Sequence, residues 1–196
     1  AYADFAEECL EMGYKAYKMH GWKEGNVEEE KEMLKAVGNR VAGKIKIMYD
    51  SACHLSTLAD ALEIGRICDE YGFYWYEDPY KDGGVSIHGN KTLSQNLSTP
   101  ILIGEHIRNF ETSVDLITNG ASFFSRADPD YDGGITGSYK LAVASEGLGI
   151  DCEIHSCGPA MRQLMGATRN SNFYEVNLLH PNCSNPWSLP IYLNNY

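Results

Sequence analysis

The sequence predicts an α/β protein on a parallel sheet, specifically an incomplete (β/α) barrel of about seven parallel strands. Three observations predict it. Helix-like and strand-like patterns alternate along the 196 residues with no low-complexity segment or linker between them. Three acids, Asp50, Glu77 and Glu105, stand 27 and 28 residues apart in the extended runs IKIMYD (45–50), FYWYED (73–78) and ILIGEH (101–106). A strand, a helix and two short connections take about 25–30 residues. The three carboxylates are therefore expected at one end of three neighbouring strands, pointing at one spot. Finally, charged residues gather at strand C-termini, the end where a barrel of the TIM type builds its site. A doubly wound open sheet is the alternative, but it would normally carry a Gly-rich phosphate loop after its first strand, and none is present. A closed barrel needs eight strands, so the first strand is expected to be missing or the ends cut.

Taken in order, residues 2–12 (YADFAEECLEM) read as a helix stopped by Gly13. YKAYKMH (14–20) reads as a strand. Residues 26–38 read as a helix with Glu28, Glu29 and Glu30 early and Lys35 late, which suits the helix dipole. Strand 45–50 follows, then helix 56–71 with Ser56 or Thr57 as N-cap. Next come strand 73–77, a Gly- and Lys-rich loop, a short helix near 90–97, and strand 101–105 opened by Pro100. Helix 110–118 and strand 122–127 lead to the DGGITG turn (132–137), which opens helix 138–147. Strand 150–155, helix 159–168 and strand 173–178 complete the series, and NPWSLPIYL near the end has no clear element.

Composition bounds the function. At 43% hydrophobic the chain can bury a core. A net charge of −11 argues against nucleic acid and anionic membranes, which favour basic surface. It does not oppose a small anionic substrate, because a bound cation inverts the local charge. Six cysteines without a CxxC pair read as buried thiols of a cytoplasmic protein. No apolar run reaches the ~18 residues of a membrane helix. On a cytoplasmic reading, the sequons at Asn90, Asn96 and Asn182 carry no weight.

Three converging oxygen ligands with no thiolate suit a hard divalent cation such as Mg2+. Asp50 alone could be a turn cap, but three converging acids repel one another unless a cation lies between them. Four more positions share the register of strand ends: Lys18 with His20, Asp128, His155 and Glu175. Residues two apart on a strand share a face, so Lys18 and His20 both point into the mouth. Asp128 and His155 lie 27 residues apart, one repeat, and are expected as neighbours. A carboxylate beside an imidazole orients it and raises its basicity. Asp130 and Asp132 are read as shaping the turn before Gly133-Gly134. His54, His88 and His180 are read as surface residues, and His106 as support facing away from Glu105. Two residues back from the dyad, Arg126 and Glu153 are expected to face inward as an ion pair, since a lone buried charge is costly. Lys46 is expected to face inward too.

The ordered set Lys18-Met19-His20, Asp50, Glu77-Asp78-Pro79, Gly104-Glu105, Asp128 with Gly133-Gly134-Ile135-Thr136, His155 and Glu175 resembles the enolase superfamily, mandelate racemase subgroup, over nearly the whole chain. The resemblance implies a (β/α)7β barrel with Mg2+ held by Asp50, Glu77 and Glu105. It also implies abstraction of the proton α to a carboxylate, an Asp128–His155 dyad, and an acid or hydrogen-bond donor at Glu175. By the same resemblance, residues 1–196 are a partial barrel domain, strands 2 to 8, without the N-terminal capping domain, and the full-length enzyme is a homo-oligomer. The family's usual Lys-x-Lys is Lys18-x-His20 here. A racemase needs a base on each face of the α-carbon, so the change favours dehydration of an acid sugar to a 2-keto-3-deoxy acid. In that reading Mg2+ and Lys18 stabilise the enediolate, and His155 or His20 is the base. A racemase or epimerase, a non-catalytic fragment and a metal-assisted hydrolase are the alternatives.

Overall fold

A computed structural model describes residues 1–21, 26–81 and 85–176. His180, Cys183, the Asn182 sequon and the NPWSLPIYL stretch lie outside them.

Among the described residues, helices and strands alternate as α1 (Tyr2–Glu11), β1 (Ala16–His20), α2 (Val27–Val41), β2 (Lys46–Asp50), α3 (Leu58–Tyr71), β3 (Trp75–Glu77) and α4 (Ile87–Asn96). They continue as β4 (Ile101–Ile103), α5 (Phe110–Thr118), β5 (Phe124–Ala127), α6 (Gly134–Gly147), β6 (Asp151–Ile154) and α7 (Pro159–Ala167). Every strand pairs in parallel with its sequence neighbour, giving one six-stranded sheet in the order β1-β2-β3-β4-β5-β6. The sheet curls into part of a barrel with the helices outside, as the alternating pattern predicts.

Four of the described helices, α2 to α5, start where a side chain satisfies a first orphan N–H group. Asn26 accepts from Glu29 N, Ser86 from Gly89 N, and Asn109 from Thr112 N. Thr57 and Asp60 form a reciprocal capping box at α3. The main core lies between the sheet and α1–α4, with Leu34, Val37, Ile47, Tyr49, Ile64, Tyr76 and Leu93 essentially inaccessible. A second plug fills the barrel interior below the strand ends. It contains Met48, Trp75, Leu102 and Phe124, with Phe173 and Tyr74 packed on it. Lys46, expected to face inward, is exposed at the start of β2 and stacks its Nζ on the Tyr74 ring, 3.9 Å from the ring centre. Cys9, Cys68 and Cys152 are buried, as the buried-thiol reading expects, whereas Cys53 and Cys157 are only half-buried. No described helix is long and apolar enough to cross a membrane.

Two expectations fail here. The strand predicted at 173–178 is not formed over its described part, where 171–176 is irregular. The segment still runs beside β6, but its Asn172 and Phe173 N–H groups donate to the Glu153 carboxylate at 3.1 and 3.2 Å. A side chain thus takes the bonds a ladder would use. For the same reason Arg126 and Glu153 form no ion pair, although they are register partners. Glu153 is fully buried and satisfied by the 172–173 backbone and the Asn172 amide, and Arg126 turns to other carboxylates.

Candidate functional site

The strand ends carry their charged side chains to one place. Strand β1 brings Lys18 and His20, β2 ends on Asp50, and β3 ends on Glu77. Glu105 follows β4 by two residues, Asp128 and His155 each follow their strands by one, and Glu175 comes from the irregular segment.

Asp50, Glu77 and Glu105 each offer an oxygen within 4.8 Å of the others, a group able to hold a metal ion. Two cations stand among them, Lys18 half-buried and Arg126 buried. Lys18 Nζ lies 3.6 Å from Asp50, 3.1 Å from Glu77 and 2.6 Å from Glu175. Arg126, 1% exposed, places Nε 2.8 Å from Glu77 and 3.6 Å from Glu105, and Nη2 2.5 Å from Glu175. Trp75 Nε1 donates to Glu77 Oε2 at 3.2 Å from the layer below.

Four carboxylates against two fixed cations leave an excess of two negative charges, and the proton affinities divide accordingly. Burial would raise Glu77 and Glu175, but Arg126 and Lys18 overcome it and hold both below the usual carboxylate range, Glu175 well below. Asp50 and Glu105 are left over. Burial and the neighbouring Glu77 push Asp50 up to about 6 and, with Asp78, push Glu105 up to about 10. Lys18 loses stability as a cation through burial, yet Glu175 and Glu77 raise it and keep it protonated. The donor set, three carboxylates with no thiolate, fits a hard divalent ion, and Glu105 Oε2, 3.6 Å from Arg126 Nε, is buried without a hydrogen bond.

The dyad is formed. His155 Nδ1 lies 2.5 Å from Asp128 Oδ2. A carboxylate oxygen accepts, so Nδ1 donates and Nε2 is the basic nitrogen; it stands 3.3 Å from Glu105 Oε2. Asp128 is itself fixed, its Oδ1 accepting from Asp130 N at 2.7 Å and its own N–H donating to Asp132 Oδ2 at 2.6 Å. The Asp132 side chain therefore shapes the turn as expected, while Asp130 takes part through its backbone N–H. On the opposite side His20 Nδ1 donates to Gly21 O at 2.9 Å and turns Nε2 toward Asp50, 3.8 Å away. His106 reaches back to the site rather than away from it, 3.6 Å from Glu105 and 3.1 Å from Asp78. His88 is exposed as expected, whereas His54 is half-buried rather than on the surface.

Sequence reasoning thus brings all eight chosen side chains to the mouth. It places Arg126 inside the barrel but misses it as the central cation, and it misses Trp75 as the donor beneath Glu77. Alternation could have placed Trp75 too, since it lies two residues before Glu77.

Gly104 sets how Glu105 enters. Its φ is +149°, and a Cβ there would lie 2.7 Å from the Arg126 carbonyl oxygen and 2.9 Å from its Cβ. Only glycine lets β4 approach β5 so closely. Gly104→Ala is expected to destabilise the chain by about 1–3 kcal/mol in urea unfolding and to weaken cation binding by shifting Glu105. An unfolding midpoint within error of the parent would contradict this.

Comparison with known proteins places this geometry. Residues 1–190 match the family described as Enolase C-terminal domain-like. Arabinonate dehydratase of Saccharolobus solfataricus is 25% identical over 174 residues, covering 86% of this chain and 45% of that protein. N-succinyl-L-Arg/Lys racemase of Bacillus cereus is 26% identical over 155 residues, covering 79% of this chain and 41% of that protein. Among solved structures, D-glucarate dehydratase from Agrobacterium tumefaciens complexed with magnesium superposes with a TM-score of 0.86 at 31% identity, covering 93% of this chain and 48% of that one. The chain spans less than half the length of each of these relatives.

Proposed function

This chain belongs to the Enolase C-terminal domain-like family, and on that premise we propose that it is the barrel portion of a Mg2+-dependent acid-sugar dehydratase. Residues 1–196 are then a partial barrel domain whose six strands correspond to barrel strands 2 to 7, with 171–176 running where the eighth belongs. The observation that carries the reading is the charge balance: four converging carboxylates, two fixed cations, and two acids, Asp50 and Glu105, whose proton affinities are raised for want of a further cation.

Asp50, Glu77 and Glu105 would hold the ion. Bound there, Mg2+ supplies a Lewis acid that draws charge from a substrate carboxylate and acidifies the α-proton. His155 Nε2, oriented by Asp128, takes that proton. Lys18, fixed as a cation, faces the negative charge that develops on the substrate oxygens. Because Arg126 and Lys18 keep Glu175 ionised, it serves to hold those cations and the Ser156 N–H rather than to give a proton. The proton for the departing β-hydroxyl then comes from an imidazole, His20 or the protonated His155. The product is a 2-keto-3-deoxy acid.

Incubating the full-length protein and Mg2+ with a panel of acid sugars, and measuring the 2-keto acid formed, tests the reading. No water loss from any member would count against it. A racemase or epimerase is the second reading, favoured by the two imidazoles that flank the acids, His155 on the Glu105 side and His20 on the Asp50 side. Solvent deuterium entering the α-position without dehydration would establish it instead.

A further inference from the structure

Beside the three-acid group lies another cluster of different chemistry: Cys53, Asp78 and His106. We infer that these three side chains form a second cation site, selective for a thiophilic divalent ion of the Zn2+ class.

Cys53 Sγ, an Asp78 oxygen and a His106 ring nitrogen all lie within 4.8 Å of one another. Ligand atoms around a tetrahedral zinc ion stand roughly 3–4 Å apart, from bond lengths of about 2.0–2.3 Å, so small side-chain movements close the site. The backbone fixes two of the three ligands. Cys53 N donates to the Asp78 carbonyl at 3.0 Å, and Ser51 N donates to the Glu77 carbonyl at 3.0 Å. This ties the turn after β2 to the turn after β3.

The independent observation is Asp78. It is 1% exposed, and its Oδ1 has no hydrogen-bond partner. His106 Nε2, itself a member of the cluster, meets only Oδ2, at 3.1 Å, which leaves half of a buried carboxylate unsatisfied. A cation between Asp78, His106 and Cys53 satisfies it. Thiolate and imidazole select zinc over magnesium, whereas the oxygen-only group next to it selects the reverse. The two sites therefore sort their ions by ligand type. Three protein ligands, with His106 exposed toward solvent, leave a fourth position for water. Binding releases the Cys53 thiol proton to solvent, since the thiolate is the ligand. Glu77-Asp78 and Glu105-His106 are consecutive pairs, so the ion stiffens the same two turns that carry the three-acid group.

The test is a titration of Co2+ into the full-length protein in excess Mg2+, which occupies the oxygen site. The expected result is a near-ultraviolet sulfur-to-cobalt charge-transfer band that saturates at one ion per chain and is erased by Zn2+. The band is lost in Cys53→Ser, weakened in His106→Ala, and retained in Cys68→Ser, a buried cysteine outside the cluster. Cobalt bound only through oxygen gives no such band, so the readout does not depend on the Mg2+ site. No band in the unaltered protein would overturn the inference, whatever the variants do. A band surviving in Cys53→Ser would overturn it too, by assigning the sulfur elsewhere.

Discussion

Replacing Arg126 with methionine will destabilise the metal-free protein by about 3–5 kcal/mol, the range for removing one partner of a buried ion cluster. The side chain is 1% exposed and lies within 3.6 Å of Glu77, Glu105 and Glu175. Its loss leaves four carboxylates facing Lys18 alone. Methionine fills much of the volume, so the effect reports charge rather than a cavity. The pH dependence identifies the cause. Glu77 and Glu175 are depressed in the folded chain despite their burial, chiefly by Arg126 and then Lys18. A depressed carboxylate stabilises fully above its ordinary value near 4.5 and loses that contribution as pH falls through its folded value. The deficit of the variant will therefore be largest at neutral pH and shrink in acid. Urea unfolding at several pH values measures it, and a neutral-pH deficit below about 1 kcal/mol would remove Arg126 from its central place.

His155→Asn will lower turnover of the full-length enzyme by about 100- to 10,000-fold, the usual contribution of a positioned proton-transfer group. Nδ1 is engaged by Asp128 at 2.5 Å, and Nε2 is directed at the Glu105 side of the acid group. Asparagine keeps a donor toward Asp128 but has no basic atom. Mg2+ affinity will change little, since His155 is outside the three-acid group. A rate within tenfold of the parent, at saturating substrate and metal, would transfer the base role to His20.

How far the chain could be read in advance depends on what each residue's surroundings require. Among the described residues, six strands and seven helices were legible because period-2 and period-3.6 patterns alternate cleanly between them, and the one-repeat spacing of Asp50, Glu77 and Glu105 announced the convergence. The dyad followed from the same spacing. The 173–178 strand misled because its apolar and polar alternation is real, yet pairing is decided by which acceptor reaches the N–H groups. Glu153, a side chain from the neighbouring strand, reaches them first. Arg126 was placed correctly inside the barrel and given the wrong partner. Register puts Glu153 beside it, but Glu153 is already satisfied by the 172–173 backbone and the Asn172 amide, and the long guanidinium reaches Glu77 and Glu175 instead. His106 shows the same limit: strand alternation says it points away from Glu105, but β4 ends at Ile103, and beyond a strand end alternation no longer holds.

The central claim is that Asp50, Glu77 and Glu105 form a divalent-cation site whose excess negative charge is what the ion neutralises. Calorimetric titration of Mg2+ at pH 7.5, in buffers of different ionisation heat, tests it most directly, with Asp50→Ala as the control. Glu105 keeps its proton up to about 10 while Asp50 has lost its own above about 6, so binding must expel the Glu105 proton. The account predicts one ion bound per chain, about one proton released with it, and no binding in Asp50→Ala. A folded protein that takes up no Mg2+, or one whose Asp50→Ala variant binds as the parent does, would contradict it.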